Sequence, residues 1–263
     1  MYNVFIDCCV PSFIFSGLLF FRMSDTLVLD VRAGLGNRLQ ALISGICMAQ
    51  DTGKKLHVIW APEEACNAKF QDLFQKDCLP LWIKINLGPC METPVKILDQ
   101  TDADRYIQSK DRRPILSYSR FYVRDEDAWM GWLRRLAPAF ALPELPAGRR
   151  VGIHIRRGDH TESRTKSPLQ LFLDTMRKES DNTVFVVATD GSEEKIALEK
   201  LFGSRVFFPA SVISRTSIKG MKDAVADMFS LAKCDMIYGS SGTTFSNMAA
   251  MLGDIPLHVL RTV

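Results

Sequence analysis

After the first 25 residues, short runs of β-branched and other apolar residues alternate with segments whose apolar residues recur at helical spacing. The first run, TLVLDV, precedes the turn AGLGN and a segment in which Leu39, Leu42 and Ile46 share one helical face. That helix is expected to stop at Gly53, and the run KLHVIW at 55–60 is the next predicted strand. The alternation predicts βαβ units and a mainly parallel sheet.

The second half of the chain repeats this alternation more clearly. Its predicted strands are RVGIHI, TVFVVAT, RVFFP, DMIYGS and PLHVL, and four segments of helical period separate them. The stretch 62–146 is harder to interpret. There, CNAKFQDLF predicts a short helix, ILSYS a strand, and DEDAWMGWLRRLAP a helix whose acidic start suits the positive end of the helix dipole. The predicted fold class is therefore α/β.

A break in the pattern separates the two halves. The stretch ALPELPAGRR at 141–150 carries two prolines and a glycine between clear elements. A chain of 263 residues suits one large domain or two small ones. We therefore predict an N-terminal domain at 23–145 and a C-terminal domain at 146–263, with a surface loop inside one domain as the alternative.

Residues 1–22 form an apolar N-terminal extension. The stretch 4–21 is strongly apolar, but Asp7 and Pro11 interrupt it, and it lacks the basic region and small-residue cleavage site of a secretory signal. A membrane-spanning helix needs about 20 predominantly apolar residues. Two interpretations stay open: the stretch associates with a membrane as an anchor, or Met23 is the natural start and the preceding residues are not native.

The composition is that of an ordinary globular protein. The chain is 47% hydrophobic and 24% charged, its net charge is +3, and its basic residues are spread thinly, so no nucleic-acid partner is expected. The seven cysteines never form C-x-x-C, and the four histidines form no H-x-x-x-H pair, which disfavours a disulfide framework and a zinc site. We expect reduced thiols, a cytoplasmic location, and neither a metal nor a cofactor.

Three polar clusters follow predicted strands of the second half directly: RRGDH at 156–160, TDGS at 189–192 and GSSGTT at 239–244. A fourth cluster, GLGNR at 34–38, follows LVLDV in the first half. In open α/β sheets, ligands bind at the carboxyl ends of the strands, where loops and helix N-termini converge. Each cluster alone is also explained by local structure: an Arg–Asp pair tying down its own loop, an Asx turn, or a capped helix. Together the four clusters favour a nucleotide-type ligand.

The two adjacent arginines are expected to face opposite sides, because side chains alternate along a strand. A guanidinium binds a phosphate through two parallel N–H donors. One guanidinium is therefore expected to face the ligand, and the other, with Asp159, to brace the loop.

Three ordered motifs resemble the α1,2-, α1,6- and protein O-fucosyltransferase superfamily: H-x-R-R-x-D at 154–159 followed by FVVATD, DMFSLAKCD at 227–235, and SSGTTFSNMA at 240–249. The segment GLGNRLQALISG at 34–45 is similar to the nodulation-type fucosyltransferases, and the likeness spans most of 26–253. The resemblance implies a GT-B fold, in which two Rossmann-like domains with mainly parallel sheets face each other across a cleft. It also implies that fucose passes from GDP-fucose to a glycan or other hydroxyl acceptor, with inversion and without a required metal.

The resemblance further implies roles for single residues, with GDP held mainly by the C-terminal domain. The catalytic Arg156 would hold the β-phosphate, His154 would lie against the nucleotide, and Asp190 would contact the guanine or ribose. The remaining donor contacts would come from Gly34, Gly36, Asn37, Ser241, Thr243, Thr244 and Phe245.

Glu162 is the candidate general base for the acceptor hydroxyl, and His160 and Asp159 compete with it. An oxocarbenium-like reaction leans little on a strong nucleophile, so the absence of a base is also an open interpretation. No motif in 62–146 indicates which acceptor is used.

Three other functions stay open. DAD at 102–104 and DED at 125–127 have the spacing of a metal-dependent transferase, although DED is better interpreted as an acidic helix start. A transferase specific for another nucleotide sugar would keep the arginine and the phosphate loop but change the sugar pocket. A non-catalytic protein that binds sugar nucleotides or glycans would keep the fold without turnover.

Overall fold

The computed structural model describes residues 26–262, apart from 87, 89–91, 159 and 211–213. The N-terminal extension at 1–22 and the bracing residue Asp159 therefore lie outside the described residues. Within the described part of the chain, none of the helices has the length and apolar character needed to cross a membrane. The cytoplasmic location stays a prediction.

The first half of the chain forms a five-stranded parallel sheet. Its strands are β1 (Thr26–Val31), β2 (Lys55–Ile59), β3 (Ile83–Asn86), β4 (Val95–Lys96) and β5 (Ile115–Ser117), in the order β3-β2-β1-β5-β4. The helices of this half are α1 (Leu35–Asp51), α2 (Phe70–Leu73), α3 (Gln100–Ser109) and α4 (Glu126–Arg134). The central strands are apolar runs because helices and loops cover both faces of a parallel sheet.

The second half forms another five-stranded parallel sheet. Its strands are β6 (Arg150–Ile155), β7 (Val184–Thr189), β8 (Val206–Phe207), β9 (Met236–Ser240) and β10 (Leu257–Leu260), in the order β10-β9-β6-β7-β8. Its helices are α5 (Thr161–Lys166), α6 (Leu169–Arg177), α7 (Ser192–Phe202), α8 (Ile218–Leu231) and α9 (Thr244–Gly253). The α/β class and the parallel sheets are confirmed.

All predicted strands and helices of the second half are present, but several other elements were missed. The strands β3 and β4 and the helices α3 and α5 were not predicted, because they are short or mostly polar. The predicted turn AGLGN was wrong in part: α1 already begins at Leu35, after an extended Gly34 at its N-terminal end. The backbone from Leu35 to Asn37 is therefore helical.

One hydrophobic cluster extends through both halves of the molecule. Buried residues of α8 and α9, including Met221, Val225 and Met248, belong to the same cluster as Leu39 and Leu42 of α1. A second, smaller cluster lies within the second half. Since burial of apolar surface contributes about 25 cal/mol per Å², the shared cluster stabilises the contact between the halves. The division into domains at 145/146 stays a prediction.

Candidate functional site

The carboxyl ends of β6 and β9 meet where the order of the second sheet reverses. The chain leaves β6 toward β7 on one side and reaches β9 on the other, so the connecting loops diverge and leave a crevice. The Arg156 N–H donates to Ser240 Oγ at 3.0 Å, and Ser240 Oγ donates to the His154 carbonyl at 3.3 Å. A cavity of about 410 Å³, which we call the inner cavity, lies at this crevice.

The inner cavity gathers predicted residues from both halves of the chain. Those that line it are Gly34, Gly36, Asn37, His154, Arg156, Asp190, Thr243, Thr244 and Phe245. Ser241 is not among the described residues that line the cavity; its N–H donates to Ser167 Oγ at 2.8 Å, and its carbonyl accepts from Ser163 Oγ. Ser241 thus holds the loop after β9 through its backbone.

Two helix N-termini point into the inner cavity. The first residues of α1 and of α9 line it, and neither helix has an acidic residue in its first turn. Thr243 caps α9, since its Oγ1 accepts the Phe245 N–H at 3.2 Å. Unpaired N–H groups and the positive ends of two helix dipoles favour an anion here.

Arg156 forms an ion pair with Asp190 within the wall of the inner cavity. Their side chains are 12% and 22% exposed, so the pair is largely screened from solvent. A Cβ at Gly158 would lie 2.9 Å from Arg156 Nη1 and 2.7 Å from Asp190 Oδ2, so the backbone at Gly158 packs directly on the pair. The guanidinium is thereby held at the cavity wall by a carboxylate from the next strand.

Arg157 makes the contacts of a bracing residue. Its Nε donates to Glu194 Oε1 at 2.7 Å, and its Nη1 donates to the Ser167 carbonyl at 3.1 Å. Its backbone N–H donates to Asp190 Oδ1 at 2.6 Å. The loop after β6 is therefore tied to α7, to the start of α6 and to the end of β7.

His154 and Phe245 form a flat wall on the inner cavity. Their ring centroids are 4.9 Å apart, and the rings are inclined by 29°. His154 is 5% exposed, and its Nδ1 has no hydrogen-bond partner among the described residues. Burial, together with the positive charge of Arg156, lowers the pKa of His154 to about 3, so this ring is neutral at physiological pH.

Asp227 and Lys195 also line the inner cavity, and sequence reasoning assigned them no role. Burial raises the pKa of Asp227 well above its usual range, although Lys195 acts in the opposite direction. Asp227 Oδ1 has no hydrogen-bond partner within the described part of the chain. Asp227 does begin the quoted motif DMFSLAKCD, whereas Lys195 lies in an ordinary charged helix and has no such signal. A buried polar atom without a partner is costly, so a ligand donor is expected at Asp227.

Glu162 is on α5, outside the lining of the inner cavity. Its ion pair with Lys166 Nζ at 2.7 Å lowers the pKa of its carboxyl group. His160, which does line the cavity, accepts the Ser163 N–H on Nδ1 at 3.1 Å, so the neutral ring carries its proton on Nε2. A neutral His160 is therefore a hydrogen-bond donor at Nε2.

A wider cavity of about 940 Å³, which we call the outer cleft, adjoins the inner cavity. The residues that line both are Ala65, Arg156, Asp190, Ser214 and Arg215. The first half of the chain adds, among others, Arg32, Glu63, Glu64 and Leu116. The two cavities thus meet at the Arg156–Asp190 pair.

The two DxD sequences lie in helical surroundings. Asp125 of DED caps α4 by accepting the Ala128 N–H at 3.1 Å, which confirms the predicted acidic helix start. The DAD segment lies in α3, where Asp102 pairs with Arg105 at 3.2 Å. Among the residues that the structure describes, no three His, Cys, Asp or Glu side chains are grouped as metal ligands.

No protein-family model and no curated protein matches the chain. Solved structures do match it. Fucosyltransferase NodZ from Bradyrhizobium is 17% identical, with a TM-score of 0.59, over 88% of this chain and 94% of that chain. A mutant of FUT1 from Arabidopsis thaliana in complex with GDP is 16% identical, with a TM-score of 0.58, over 90% and 71%. POFUT1 in complex with GDP is 10% identical, with a TM-score of 0.55, over 90% and 98%. The chain therefore has the GT-B fold of these fucosyltransferase structures, as its motifs predicted.

Proposed function

We propose that this protein is a glycosyltransferase that moves fucose from GDP-fucose to a hydroxyl acceptor, with inversion and without a required metal. The observation that carries the proposal is the inner cavity, where residues of three separate motifs line one wall beside two helix N-termini. Structures with the same fold support the donor, since NodZ was soaked with GDP-fucose and POFUT1 holds GDP.

The diphosphate fits the part of the inner cavity between Arg156 and the start of α9. Arg156 supplies a guanidinium, and the α9 N-terminus supplies N–H groups beside the Thr243 and Thr244 hydroxyls. His160 offers its Nε2–H as a further donor. These groups neutralise phosphate charge without a divalent cation.

The guanine base fits the deeper part of the inner cavity, beside Asp227. The N1–H and 2-amino groups of guanine are donors, and a buried carboxyl oxygen without a partner accepts them. The stacked His154 and Phe245 rings offer a flat surface to the nucleoside. Adenine lacks both donors, so Asp227 would favour GDP over ADP.

Catalysis in this scheme is electrostatic. As the bond between fucose C1 and the β-phosphate oxygen breaks, its electron pair goes to GDP and negative charge grows on that oxygen. Arg156 and the N–H groups at α9 stabilise this charge, and Asp190 keeps the guanidinium in place. Removal of one such donor typically costs about 10²- to 10³-fold in rate. An acceptor arriving from the outer cleft attacks C1 from the opposite face, which inverts the configuration.

A nucleotide-sugar panel tests the proposal directly. GDP-fucose, GDP-mannose, UDP-galactose and UDP-N-acetylglucosamine are compared by thermal shift, and GDP release is measured with and without EDTA. A ligand at 100 times its dissociation constant stabilises a protein by about 2.7 kcal/mol. We expect the largest shift with GDP-fucose and release of GDP that persists in EDTA. Absence of any shift with both GDP-sugars would overturn the proposal.

A further inference from the structure

Glu64 is an exposed carboxylate in the outer cleft, next to Ala65, which lines both cavities. We propose that Glu64 is the general base that accepts the proton of the acceptor hydroxyl. The inference rests on the proposed fucosyl transfer and assigns to the first half of the chain a catalytic group that sequence reasoning sought at Glu162.

The backbone around Glu64 is held on both sides. Glu63 N–H donates to the Cys66 carbonyl at 3.2 Å, and Cys66 N–H donates to the Glu63 carbonyl at 2.9 Å, so Glu64 and Ala65 form the tip of a closed turn. Cys66 is fully buried and anchors this turn. The backbone at this tip therefore has a defined position relative to the cleft.

The same turn is tied to the second half of the chain through Asn67. The Asn67 N–H donates to the Arg215 carbonyl at 2.9 Å, and its Nδ2 donates to the Thr216 carbonyl at 2.8 Å. Arg215 lines both cavities. The position of Glu64 is therefore coupled to the junction at which an acceptor would reach the donor sugar.

Among the residues that the structure describes, three carboxylates line the outer cleft, and two of them form hydrogen bonds and ion pairs. Asp190 accepts the Arg157 N–H and pairs with Arg156. Glu63 accepts the Ala33 N–H at 2.8 Å and pairs with the buried Arg38 at 2.7 Å. Glu64 makes no hydrogen bond or ion pair with the residues that the structure describes. Among the described carboxylates of this cleft, it is the one with both oxygens available for a new proton.

The lowered pKa of Glu63 argues against a role of Glu63 as the general base. Burial would raise the pKa of Glu63, but Arg38, the Ala33 N–H and Arg32 lower it, with a net decrease. A carboxylate stabilised in its charged form is a weak base. Glu63 instead shapes the turn that presents Glu64.

The proposed transfer forms one bond at fucose C1, breaks another, and moves one proton. The acceptor oxygen forms its bond to fucose C1 while the bond from C1 to the β-phosphate oxygen breaks, and that electron pair leaves with GDP. The acceptor proton passes to a Glu64 carboxylate oxygen. Because Glu64 is exposed, it then releases the proton to water. No oxidant, reductant or metal enters the balance.

The test compares E64Q with E199Q. Glu199 lies on α7, is exposed, and lines neither cavity, so it controls for the loss of one surface charge. GDP release from GDP-fucose is followed with water and with a panel of methyl glycosides of glucose, galactose, mannose and N-acetylglucosamine as acceptors. We expect kcat to fall about 100-fold in E64Q, with the GDP-fucose dissociation constant within twofold of wild type and E199Q unchanged.

Two further readouts separate a base from a structural residue. The acidic limb of the kcat/KM pH profile should disappear in E64Q, and formate should restore part of the rate to E64A. An E64Q rate within threefold of wild type, or an acidic limb that persists, would overturn the assignment of Glu64 while leaving donor binding intact. If the wild-type protein does not bind GDP-fucose, the proposed function fails and the role of Glu64 fails with it.

Discussion

Thr244 Oγ1 donates a hydrogen bond to the side-chain oxygen of Asn37 at 3.0 Å, and this bond joins the first turn of α9 to the first turn of α1. The Asn37 Nδ2 donates in turn to the Tyr118 carbonyl at 2.7 Å, which sets the orientation of the amide. Both helix starts line the inner cavity. The cavity is therefore formed by a direct contact between the two halves, and neither half contains it alone.

Gly36 permits this contact, so G36A should disturb it. A Cβ at Gly36 would lie 2.8 Å from Thr244 Oγ1 and 3.3 Å from the Thr244 carbonyl carbon, too close without a shift. We expect G36A to lower the free energy of unfolding by about 1–3 kcal/mol, measured by urea denaturation, and to weaken GDP binding.

Gly131 provides the matched control for G36A. It lies in α4, and a Cβ there would meet nothing within 4 Å. The change G131A should raise stability by up to about 1 kcal/mol, because alanine favours a helix over glycine. If G36A is as stable as G131A, the close approach of α1 and α9 does not constrain residue 36.

Replacement of Arg156 should separate catalysis from folding. In R156A the transfer rate from GDP-fucose should fall about 10²- to 10³-fold, since a donor to the developing phosphate charge is lost. The far-ultraviolet circular dichroism spectrum should stay that of the wild type. R164A is the control, because Arg164 is exposed on α5 and lines neither cavity. Near-normal turnover in R156A would contradict the role of Arg156.

Asp227 should make the protein less stable as pH rises. Burial raises its pKa above the usual value of 3.8, so the folded state retains a proton that the unfolded state releases above that pH. Its contribution to the free energy of unfolding is therefore present below pH 3.8 and decreases as pH rises toward the folded-state pKa. We expect D227N to be more stable than wild type at pH 8 but not at pH 4.

The measurement for D227N is the melting temperature across this pH range, without ligand. D174N serves as the control, because Asp174 is half exposed on α6 and pairs with Arg177 on the surface. An equal pH response of D227N and wild type would mean that the carboxyl group of Asp227 is not held protonated by burial.

His154 should make the protein less stable as pH falls, which is the opposite of the effect of Asp227. Its pKa is lowered from 6.5 to about 3, so below pH 6.5 the unfolded state binds a proton that the folded state does not. The stability contributed by the neutral ring is complete above pH 6.5 and is lost as pH falls toward 3. We expect H154F, which keeps an aromatic ring against Phe245, to lose less stability than wild type between pH 6.5 and pH 4 in calorimetric melts.

Much of the fold follows from local patterns in the chain. The strands of the second sheet are continuous apolar runs, as parallel strands covered on both faces must be. The missed helix α3 buries only Ala103 and Tyr106, too few apolar residues for a recognisable stripe. The missed helix α5 has six residues and buries only Ser163. Such elements are stabilised by contacts with other segments of the chain, and their own sequence carries no pattern that reveals those contacts.

The site residues also divide into those that the local sequence marks and those that it does not. Arg156 and Thr243 could be found because each lies just after a strand or at a helix start, positions that the sequence pattern marks. Glu64 is in a short turn, where a carboxylate has no distinctive neighbours, and Asp227 is within a helix, where the motif DMFSLAKCD marks the segment but not the role of its first residue. Their places in the two cavities depend on which segments pack opposite them.

The order of strands and helices, and the loops that carry ligand chemistry, are thus readable from residues a few positions apart. The ion pair of Arg156 with Asp190 cannot be predicted from such local patterns. It requires β6 and β7 to pair in the register that sets Ile155 beside Thr189. The bond from Thr244 to Asn37 further requires both sheets to share one core. Contacts between distant segments arise from register and packing, which local propensity does not encode.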